Sequence, residues 1–382
     1  MVTVLIGADI CPIEGNRPYF LQGDANALFH DLLPEFERAD LVVANLECPL
    51  IGQSTPIFKT GPTFGESPEC LNGIKAAGID VLCLANNHIM DHGSPGLMTT
   101  LQACERVGLA TVGAGENLEA ARRILIRTVG SLRVGFLAVA EREFSIATPA
   151  TPGANPLELT DCVRNIRDNR ERFDYLIILV HGSAEFHVPT PRIQDTCRFF
   201  VEMGANAVIV QHPHVLGGWE NYRGGHIVYG QGALVMDEAI YRSRRSFHEG
   251  FLVRLAIPDD GKSQMDVLPF EQSDPVPGAR KLVGKRELEL RRQLEERSAA
   301  LRDPAFVEAD WARFCEAKGH GYMSALLGYG RILRRFNRGG FVERVLLGRS
   351  RLASVRNLLS CETHREALQT ILDGRLRALD KR

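Results

Sequence analysis

Short apolar runs recur along the first 257 residues of the chain, and several of them end abruptly in polar residues. The clearest run, Ile79 to Leu84, has the length and β-branched content of a fully buried strand, and the polar segment 86–92 follows it directly. Similar runs predict strands at 2–6, 41–44, 173–180, 207–210, 227–235 and 251–257, and a hairpin over 125–139. Helical spacing predicts helices at 24–38, 67–77, 93–107, 158–172 and 192–203. This alternation of strands and helices predicts an α/β fold.

Two loops in this pattern bear on function. Residues 51–65 form a Gly/Pro/Thr-rich segment that is long enough to be a flap facing a substrate rather than a plain connection. Residues 110–115 read Ala-Thr-Val-Gly-Ala-Gly, and a phosphate-binding loop is one interpretation of them. They lack the Lys-Ser/Thr partner and the full dinucleotide pattern, so the sequence favours a tight turn.

The polar residues at the strand ends are of the types that bind metals. They are Asp9, Glu47, Asn87, His181, His212 and His214. Each alone has a structural explanation, as a helix cap, a turn residue or a buried histidine. Together, at the carboxyl edge of one predicted sheet, they offer the carboxylate, amide and imidazole ligands that suit Zn, Mn or Fe(II). We therefore hypothesise that they hold one or two divalent metal ions.

The combination and order of these segments resemble a known family. The resemblance covers roughly residues 3–257 and rests on Gly7-Ala8-Asp9, the segments 45–49, 85–88 and 91–93, His181-x-x-x-Glu185, the segment 211–215 and Tyr229. The sequence is similar to the CapA family of poly-γ-glutamate capsule synthesis proteins, whose fold is related to the calcineurin-like metallophosphoesterases. That resemblance implies a metallophosphatase-like β-sandwich flanked by helices.

The resemblance also implies roles for single residues. Asp9 is then the first-strand metal ligand, Glu47 takes the place of the carboxylate that bridges two metals, and Asn87 binds one of them. His181, His212 and His214 complete the metal shell, and His88 is similar to the catalytic imidazole that protonates a leaving group. Asp91, Glu185 and Asn45 are expected to orient these groups by hydrogen bonds rather than to bind metal.

The sequence departs from the family pattern at three places. Cys11 stands where the phosphoesterase relatives have a histidine ligand, so one metal is expected to be weakly held or absent. The family's His-Trp-Gly is His181-Gly182-Ser183 here, and its Ser-Leu-Gly-Asn-Phe is the segment 230–234, Gly-Gln-Gly-Ala-Leu. These changes alter the expected pocket wall, and the family's substrate does not transfer directly.

The charge of the chain is divided between its two parts. Residues 276–382 carry 23 Lys and Arg against 13 Asp and Glu, and the rest of the chain carries 22 against 34. The Pro-rich segment 273–278 separates a predicted domain at 1–272 from a basic α-helical C-terminal domain at 279–382. Helices predicted at 282–301 and 322–338 would pack on the body or form a homodimer; the alternatives are that they lie on anionic lipid as a peripheral contact or bind a polyanionic product. Nucleic acid is not an expected partner.

Cellular location is predicted from what the sequence lacks. Met1 to Gly7 enters a strand pattern directly, no segment is apolar enough to cross a bilayer, and the nine cysteines include no Cys-x-x-Cys pair. These features predict a cytoplasmic protein with reduced thiols.

Two classes of function follow from this reasoning. The first is a metal-dependent hydrolase or transferase that acts on an amide or phosphoester bond in a polyanionic or glutamyl substrate. The second is a non-catalytic, metal-containing component of a capsule or poly-γ-glutamate synthesis and export assembly. The presence of His88 beside the complete ligand set favours the enzyme.

Overall fold

A computed structural model describes residues 1–239, 242–258, 262–328 and 348–379. The strands of the first half are β1 (Val2–Cys11), β2 (Leu41–Leu46), β3 (Val81–Cys83), β4 (Ala110–Val112), β5 (Ala114–Gly115), β6 (Leu125–Val129), β7 (Leu132–Ala140) and β8 (Gly153–Ala154). The later strands are β9 (Tyr175–His181), β10 (Ala207–Gln211), β11 (Trp219–Tyr222), β12 (Gly225–Val228), β13 (Ala233–Met236), β14 (Glu249–Ile257), β15 (Gln264–Gln272) and β16 (Ala279–Lys281).

Helices separate and follow these strands. They are α1 (Arg17–Gln22), α2 (Ala25–Phe29), α3 (Leu33–Arg38), α4 (Leu71–Ala76), α5 (Gly93–Val107), α6 (Leu118–Ala121), α7 (Leu159–Asp168), α8 (Pro191–Glu202), α9 (Lys285–Ala300), α10 (Pro304–Leu326), α11 (Arg349–Ser360) and α12 (Glu362–Leu379). In the described residues, no helix is long and apolar enough to cross a membrane.

The strands form two large sheets. The first has the order β16-β15-β14-β1-β2-β3-β4, with β13 also paired to β1, and the second has the order β11-β12-β10-β9-β7-β6. β1 pairs in parallel with β2 and antiparallel with β14, so this first strand of the chain lies inside its sheet. Its apolar residues are almost completely buried, as expected for a strand covered on both faces.

Alternation along the strands of the second sheet shows how the layers stack. In β9, Tyr175, Ile177 and Leu179 belong to the same hydrophobic core as the first sheet. Leu176, Ile178 and Val180 point to the other face and pack in a second core with α7 and α8. Because successive side chains of a strand point to opposite faces, the two sheets pack on each other and helices cover the outside. The predicted α/β sandwich flanked by helices is confirmed.

Glycines account for one difference from the predicted strands. The single strand expected at 227–235 is two strands, because β12 belongs to the second sheet and β13 to the first. Gly230 and Gly232 between them have φ values of 148° and 76°, which residues with a side chain rarely adopt. The side-chain amide of Gln231 donates hydrogen bonds to the carbonyls of Ile6 and Phe251, and these bonds fix the crossing.

Several predicted helices are shorter than expected. The helix at 24–38 is divided into α2 and α3, because His30 has a φ of 40° and Pro34 opens the second piece.

The glycine segment 110–115 is a tight turn as predicted. A Cβ on Gly113 would lie 2.7 Å from the Cβ atoms of Ala85 and Ala138, so the glycine is there for close packing.

The C-terminal part divides at a different place from the predicted boundary. Residues 1–311 form one compact unit and residues 312–382 form another. The predicted link at 273–278 lies between β15 and β16, which pair with each other, and Leu290 and Leu294 of α9 are buried in the core of the first unit. Independent folding of residues 1–272 stays a prediction.

The helical prediction for the tail is confirmed where it can be compared. α9 occupies the helix expected at 282–301. Of the helix expected at 322–338, residues 322–326 lie in α10, and residues 329–338 lie outside the described residues. In the second unit, α11 and α12 expose Leu352, Ile371 and Leu372 among arginines. A homodimer formed through these helices stays a prediction.

Candidate metal centre

The polar residues at the strand ends converge where the two sheets meet. Asp9 lies opposite Asn45 in the parallel pair of β1 and β2, and Glu47 follows β2 directly. In the second sheet His181 ends β9 opposite Gln211, which ends β10. The side-chain amide of Gln211 donates to the Gly7 carbonyl at 2.9 Å, and this bond joins the two sheets next to the site.

Glu47 lies at the middle of the cluster. Its carboxylate is completely buried, and its oxygens lie 3.0 Å from His214 Nε2, 3.3 Å from His181 Nε2 and 3.9 Å from His212 Nδ1. The Asp9 carboxylate is also completely buried, with Oδ2 at 3.7 Å from His214 Nε2. The Asn87 side-chain oxygen lies 3.0 Å from His181 Nε2. The structure thus brings all six candidate ligands predicted from the sequence into one cluster.

These atoms fit a bound cation. Glu47, His181 and His212 form one group of possible ligand atoms that lie within 4.8 Å of one another, and Asp9, Glu47 and His214 form a second. The two groups share Glu47, which suits a carboxylate between two ions. Glu47 Oε1 and His212 Nδ1 are buried, and the described part of the chain gives neither a hydrogen-bond partner. A buried polar atom without a partner destabilises the folded state by roughly 1–3 kcal/mol, because it has lost its hydrogen bonds to water. A divalent ion bound here would remove this unfavourable free energy.

The carboxylates respond differently to burial. Burial and the neighbouring Glu47 charge raise the pKa of Asp9. Burial also acts to raise the pKa of Glu47, but the positive charge on His214 and the close imidazoles of His181 and His212 outweigh it and hold that pKa well below its usual range. Burial acts to lower the pKa of His214, and the Glu47 carboxylate, with Glu185 and Asp9, raises it well above its ordinary value. Glu47 is therefore the anionic centre of the cluster.

The turn that carries two of the imidazoles has a strained backbone. His212 has a φ of 92°, a conformation that costs about 1–3 kcal/mol for a residue with a side chain. In this conformation the His212 amide donates to Asp9 Oδ2 at 3.1 Å. Pro213 follows and restricts the chain further. Strain of this kind persists only where the surroundings enforce it, and here it presents both histidines to the carboxylates.

His88 is held next to the ligand cluster by Asp91. Its Nδ1 lies 2.7 Å from Asp91 Oδ2, which leaves Nε2 as the ring nitrogen available to a bound molecule. The ring also packs on Phe64, with 4.5 Å between ring centroids. His88 lines a cavity of about 160 Å³ together with Glu47, Asn87 and the two histidines of the strained turn. Its catalytic role stays a prediction.

The three residues expected to orient the ligands occupy suitable positions. The Asn45 side-chain amide donates to Asp9 Oδ1 at 2.7 Å and lies 3.4 Å from His181 Nδ1. Glu185 Oε1 lies 3.5 Å from His214 Nδ1. Asp91 contacts His88 rather than any candidate ligand.

Cys11, which replaces the expected histidine, is in neither group of candidate ligands. Its thiol is completely buried, and burial, with the neighbouring Cys48 and the Glu47 charge, raises its pKa well above the ordinary value. A thiol is a poor metal ligand until it loses its proton. The six remaining ligands must therefore hold any metal without help from this position.

Sequence reasoning missed Lys59, which lies in the flap formed by residues 51–65. Its side chain is only 2% exposed, forms an ion pair with the completely buried Asp91, and has Nζ 3.2 Å from His88 Nδ1. Nζ also lies 5.5 Å from the centre of the Phe144 ring. The signal in the sequence was weak: Lys59 is the first lysine of the chain and stands alone in a Gly/Pro/Thr-rich loop.

Asp91 fastens the flap to the turn that carries His88. Its backbone oxygen accepts from the Ile57 amide at 2.9 Å, and Oδ2 accepts from the Phe64 amide at 2.8 Å. Its neighbour His92 accepts a bond from the Thr55 amide at 2.8 Å. One buried carboxylate therefore fixes both the flap and the orientation of His88.

Three further carboxylates line the cavity, and two of them were also missed. Glu143, Glu185 and Glu238 surround its opening, and only Glu185 was singled out from the sequence. Burial raises the pKa of Glu238, and the charges of Glu185 and Glu47 add to this effect. Apart from Lys59 and the histidines, the charged residues that line the metal cavity are therefore acidic.

The protein is a two-sheet α/β sandwich with a candidate metal site of Asp, Glu, Asn and His side chains. The chain belongs to the bacterial capsule synthesis protein PGA_cap family, whose model matches residues 4–238. This match confirms the resemblance to the CapA family.

Two relatives and one solved structure illustrate how far the similarity extends. The capsule biosynthesis protein CapA of Bacillus anthracis is 29% identical over 262 residues, which cover 65% of this chain and 63% of that protein. The chain thus spans less than two thirds of the length of this relative. The PGA biosynthesis protein CapA of Bacillus subtilis strain 168 is 28% identical over 264 residues, which cover 67% of this chain and 68% of that protein. A 5'-nucleotidase precursor from Thermus thermophilus shares 12% identity, with a TM-score of 0.43 over 72% of this chain and 56% of that one.

The first prediction concerns the shared ligand. Glu47→Gln removes the charge common to both ligand groups, so metal affinity should fall by more than the roughly 10- to 100-fold typical of changes around the ligands. Elemental analysis after equilibration with Mn, Zn or Fe(II) measures the bound ion. The matched control is Glu143→Gln, an exposed carboxylate of the same cavity, which should bind metal like the unchanged protein. Equal metal content in both variants would contradict the assignment of Glu47.

The second prediction concerns the flap. Lys59→Met removes one partner of a buried ion pair, so the Ile57 and Phe64 amides should exchange with solvent at least about tenfold faster, since Asp91 is then buried without its cationic partner. Hydrogen exchange followed by mass spectrometry resolves this segment. Lys75→Met, on the exposed side of α4, is the control and should leave exchange unchanged. Unchanged protection of residues 55–64 in Lys59→Met would show that the pair does not hold the flap.

Proposed function

We propose that the protein is a metal-dependent hydrolase or transferase of the CapA type that acts on an amide or phosphoester bond in a poly-γ-glutamate or capsule-related substrate. The observation that carries this proposal is that His88 lines the same cavity as four of the candidate ligands, which are Glu47, Asn87, His212 and His214. General acid catalysis requires a proton donor of fixed orientation within reach of the bond to be broken, and the buried Asp91 fixes the His88 imidazole beside the candidate ligands.

The ligand set supports metal-assisted chemistry. Asp9, Glu47, His181, His212 and His214 would hold the ion or ions, with Asn87 as a further oxygen ligand. A divalent ion bound there would lower the pKa of a coordinated water to about 7 and polarise the attacked carbonyl or phosphoryl group. Mn, Zn and Fe(II) all accept this mixture of oxygen and nitrogen ligands.

The chain's own residues would then supply orientation and a proton. Asp91 holds His88 Nδ1, so the imidazole presents Nε2 to the departing oxygen or nitrogen of the substrate. Asn45 fixes the Asp9 carboxylate, and Glu185 lies beside His214. The flap, fastened through Lys59 and Asp91, would exclude bulk water from the reacting bond.

The proposed substrate class is inferred from the relatives of this chain. The names of the Bacillus proteins assign them to capsule and PGA biosynthesis. We extend a glutamyl polymer substrate to this chain because it shares their family. A peripheral membrane contact of the tail and a cytoplasmic location stay predictions.

The third prediction tests His88. His88→Ala should keep the metal content of the unchanged protein, because His88 is not among the candidate ligands, and lose about 10²- to 10⁴-fold in turnover, because the leaving group then departs without a proton donor. Chromogenic phosphate esters and γ-glutamyl anilides are suitable probes. His364→Ala, an exposed histidine in α12, is the control and should keep full activity.

The outcomes separate the two classes of function. Loss of metal together with turnover in His88→Ala would make this residue a ligand instead of a proton donor. A fully metal-loaded protein without turnover of phosphate esters, glutamyl amides or glutamyl polymer would contradict the hydrolase and would favour the non-catalytic component.

A further inference from the structure

A second, larger cavity of about 510 Å³ lies beside α9 and is rich in cations. We call it the cationic pocket. Arg245, Lys285, Arg286, Arg297 and His187 line it, with Glu249 among its acidic residues. None of these residues belongs to the candidate metal centre.

Arg297 is a half-buried cation of this pocket that has no anionic partner among the described residues. Its Nη1 donates to the backbone carbonyls of Leu216 at 2.7 Å and Gly217 at 3.4 Å. Within the described residues, no carboxylate lies within ion-pair distance of it. Burial lowers the pKa of Arg297, and only the more distant Asp310 charge opposes this. A guanidinium removed from water without an anion is costly, and arginine stays charged, so the position is suited to an external anion.

The other cations of the pocket are only partly neutralised. Glu249 is shared between Arg245 at 3.2 Å and Arg286 at 3.6 Å, and Arg286 is also paired with Glu271, so the unpaired charge of the pocket lies on Lys285 and Arg297. Glu289, which also lines the pocket, pairs with Arg292 at 2.8 Å on the outer side of α9. No ion pair of Lys285 occurs among the described residues. The pocket therefore keeps an excess of positive charge.

The two loops that shape the metal cavity also shape the cationic pocket. On one loop, Glu185 lines the metal cavity and His187 lines the cationic pocket. On the other loop, His214 lines the metal cavity and Leu216 lines the cationic pocket. The Leu216 carbonyl accepts a hydrogen bond from Arg297 and lies 2.9 Å from His187 Nδ1. These two residues of the cationic pocket therefore fix the loop that carries His214 and Leu216. Since two residues of extended chain span at most about 7 Å, the two cavities are close neighbours.

The two cavities differ in charge. The opening of the metal cavity carries Glu143, Glu185 and Glu238, which would repel a polyanion. A substrate with a carboxylate on every unit therefore needs cations elsewhere to offset this repulsion. The cationic pocket is the neighbouring surface that supplies them.

We propose that the cationic pocket is an anion subsite, built around Arg297, that binds a carboxylate of a glutamyl polymer while another part of the same polymer occupies the metal cavity. This inference rests on the proposed function, since it names how that substrate is held. The chemistry recognised is an oxyanion, and a bidentate arginine contact suits a carboxylate or a phosphate equally.

The test is equilibrium binding of a fluorescent γ-glutamyl oligomer to the full chain, with and without Mn, Zn or Fe(II). Arg297→Gln should weaken binding roughly 10- to 100-fold, because a hydrogen-bonded charge is lost from the subsite. The double variant Arg245→Gln/Lys285→Gln alters only exposed side chains and should also weaken binding and reduce its salt dependence. The matched control is Arg302→Gln, an exposed arginine just beyond the same helix that does not line the pocket, which should bind within about twofold of the unchanged protein.

Three outcomes would overturn the subsite. Oligomer binding that is unchanged in both Arg297→Gln and the double variant would exclude it. Equal weakening in Arg302→Gln would show that the oligomer is attracted by the overall charge of the protein and not by this pocket. Inorganic phosphate that binds as tightly as the oligomer and competes with it would assign the pocket to a free phosphate instead. Because binding is measured also without metal and without turnover, failure of the hydrolase proposal leaves this test intact.

Discussion

The structure depends on the burial of the Glu47 carboxylate among three imidazoles. A carboxylate removed from water is tolerated only with opposite charge and hydrogen bonds around it, and here a second buried carboxylate, Asp9, lies in the same cluster. His181, His212 and His214 supply part of the compensation. The orphaned Glu47 Oε1 and His212 Nδ1 show that the described side chains do not complete it, and a cation would. The strained backbone of His212 follows from the same requirement, since it brings an amide to Asp9 and an imidazole to Glu47.

The sandwich architecture brings the residues of this cluster together. Asp9 and Glu47 come from the first sheet and His181 and His212 from the second, so the ligands meet only because the two sheets pack with their strand ends together. The flap and His88 are then attached through one residue, Asp91. On the far side of the shared loops, Arg297 and its neighbours present the opposite charge. The acidic lining of the candidate metal cavity and the cations of the neighbouring pocket are the arrangement from which we propose that an anionic polymer is bound.

Much of the site could be predicted from the sequence, because each ligand closely follows an apolar strand and parallel strands place their ends at one edge. The same pattern could not show that the ligands come from two sheets, since strand order depends on pairing rather than on local periodicity. The segment 227–235 looked like one strand because its apolar residues hide the change of sheet at Gly230 and Gly232. Lys59 and Glu238 were missed because long-range packing, rather than any local spacing, brings them to the cavity. The link at 273–278 has the composition of a domain boundary, but β16 and α9 continue the packing of the first unit beyond it.

The most direct test of the metal centre is anomalous X-ray scattering from crystals equilibrated with Mn, Zn or Fe(II). We expect at least one anomalous peak about 2.0–2.2 Å from a Glu47 oxygen and from imidazole nitrogens of His181, His212 or His214. Full equilibration with each ion in turn, with no peak within bonding distance of Glu47, would contradict the central claim that these residues from two sheets share a cation.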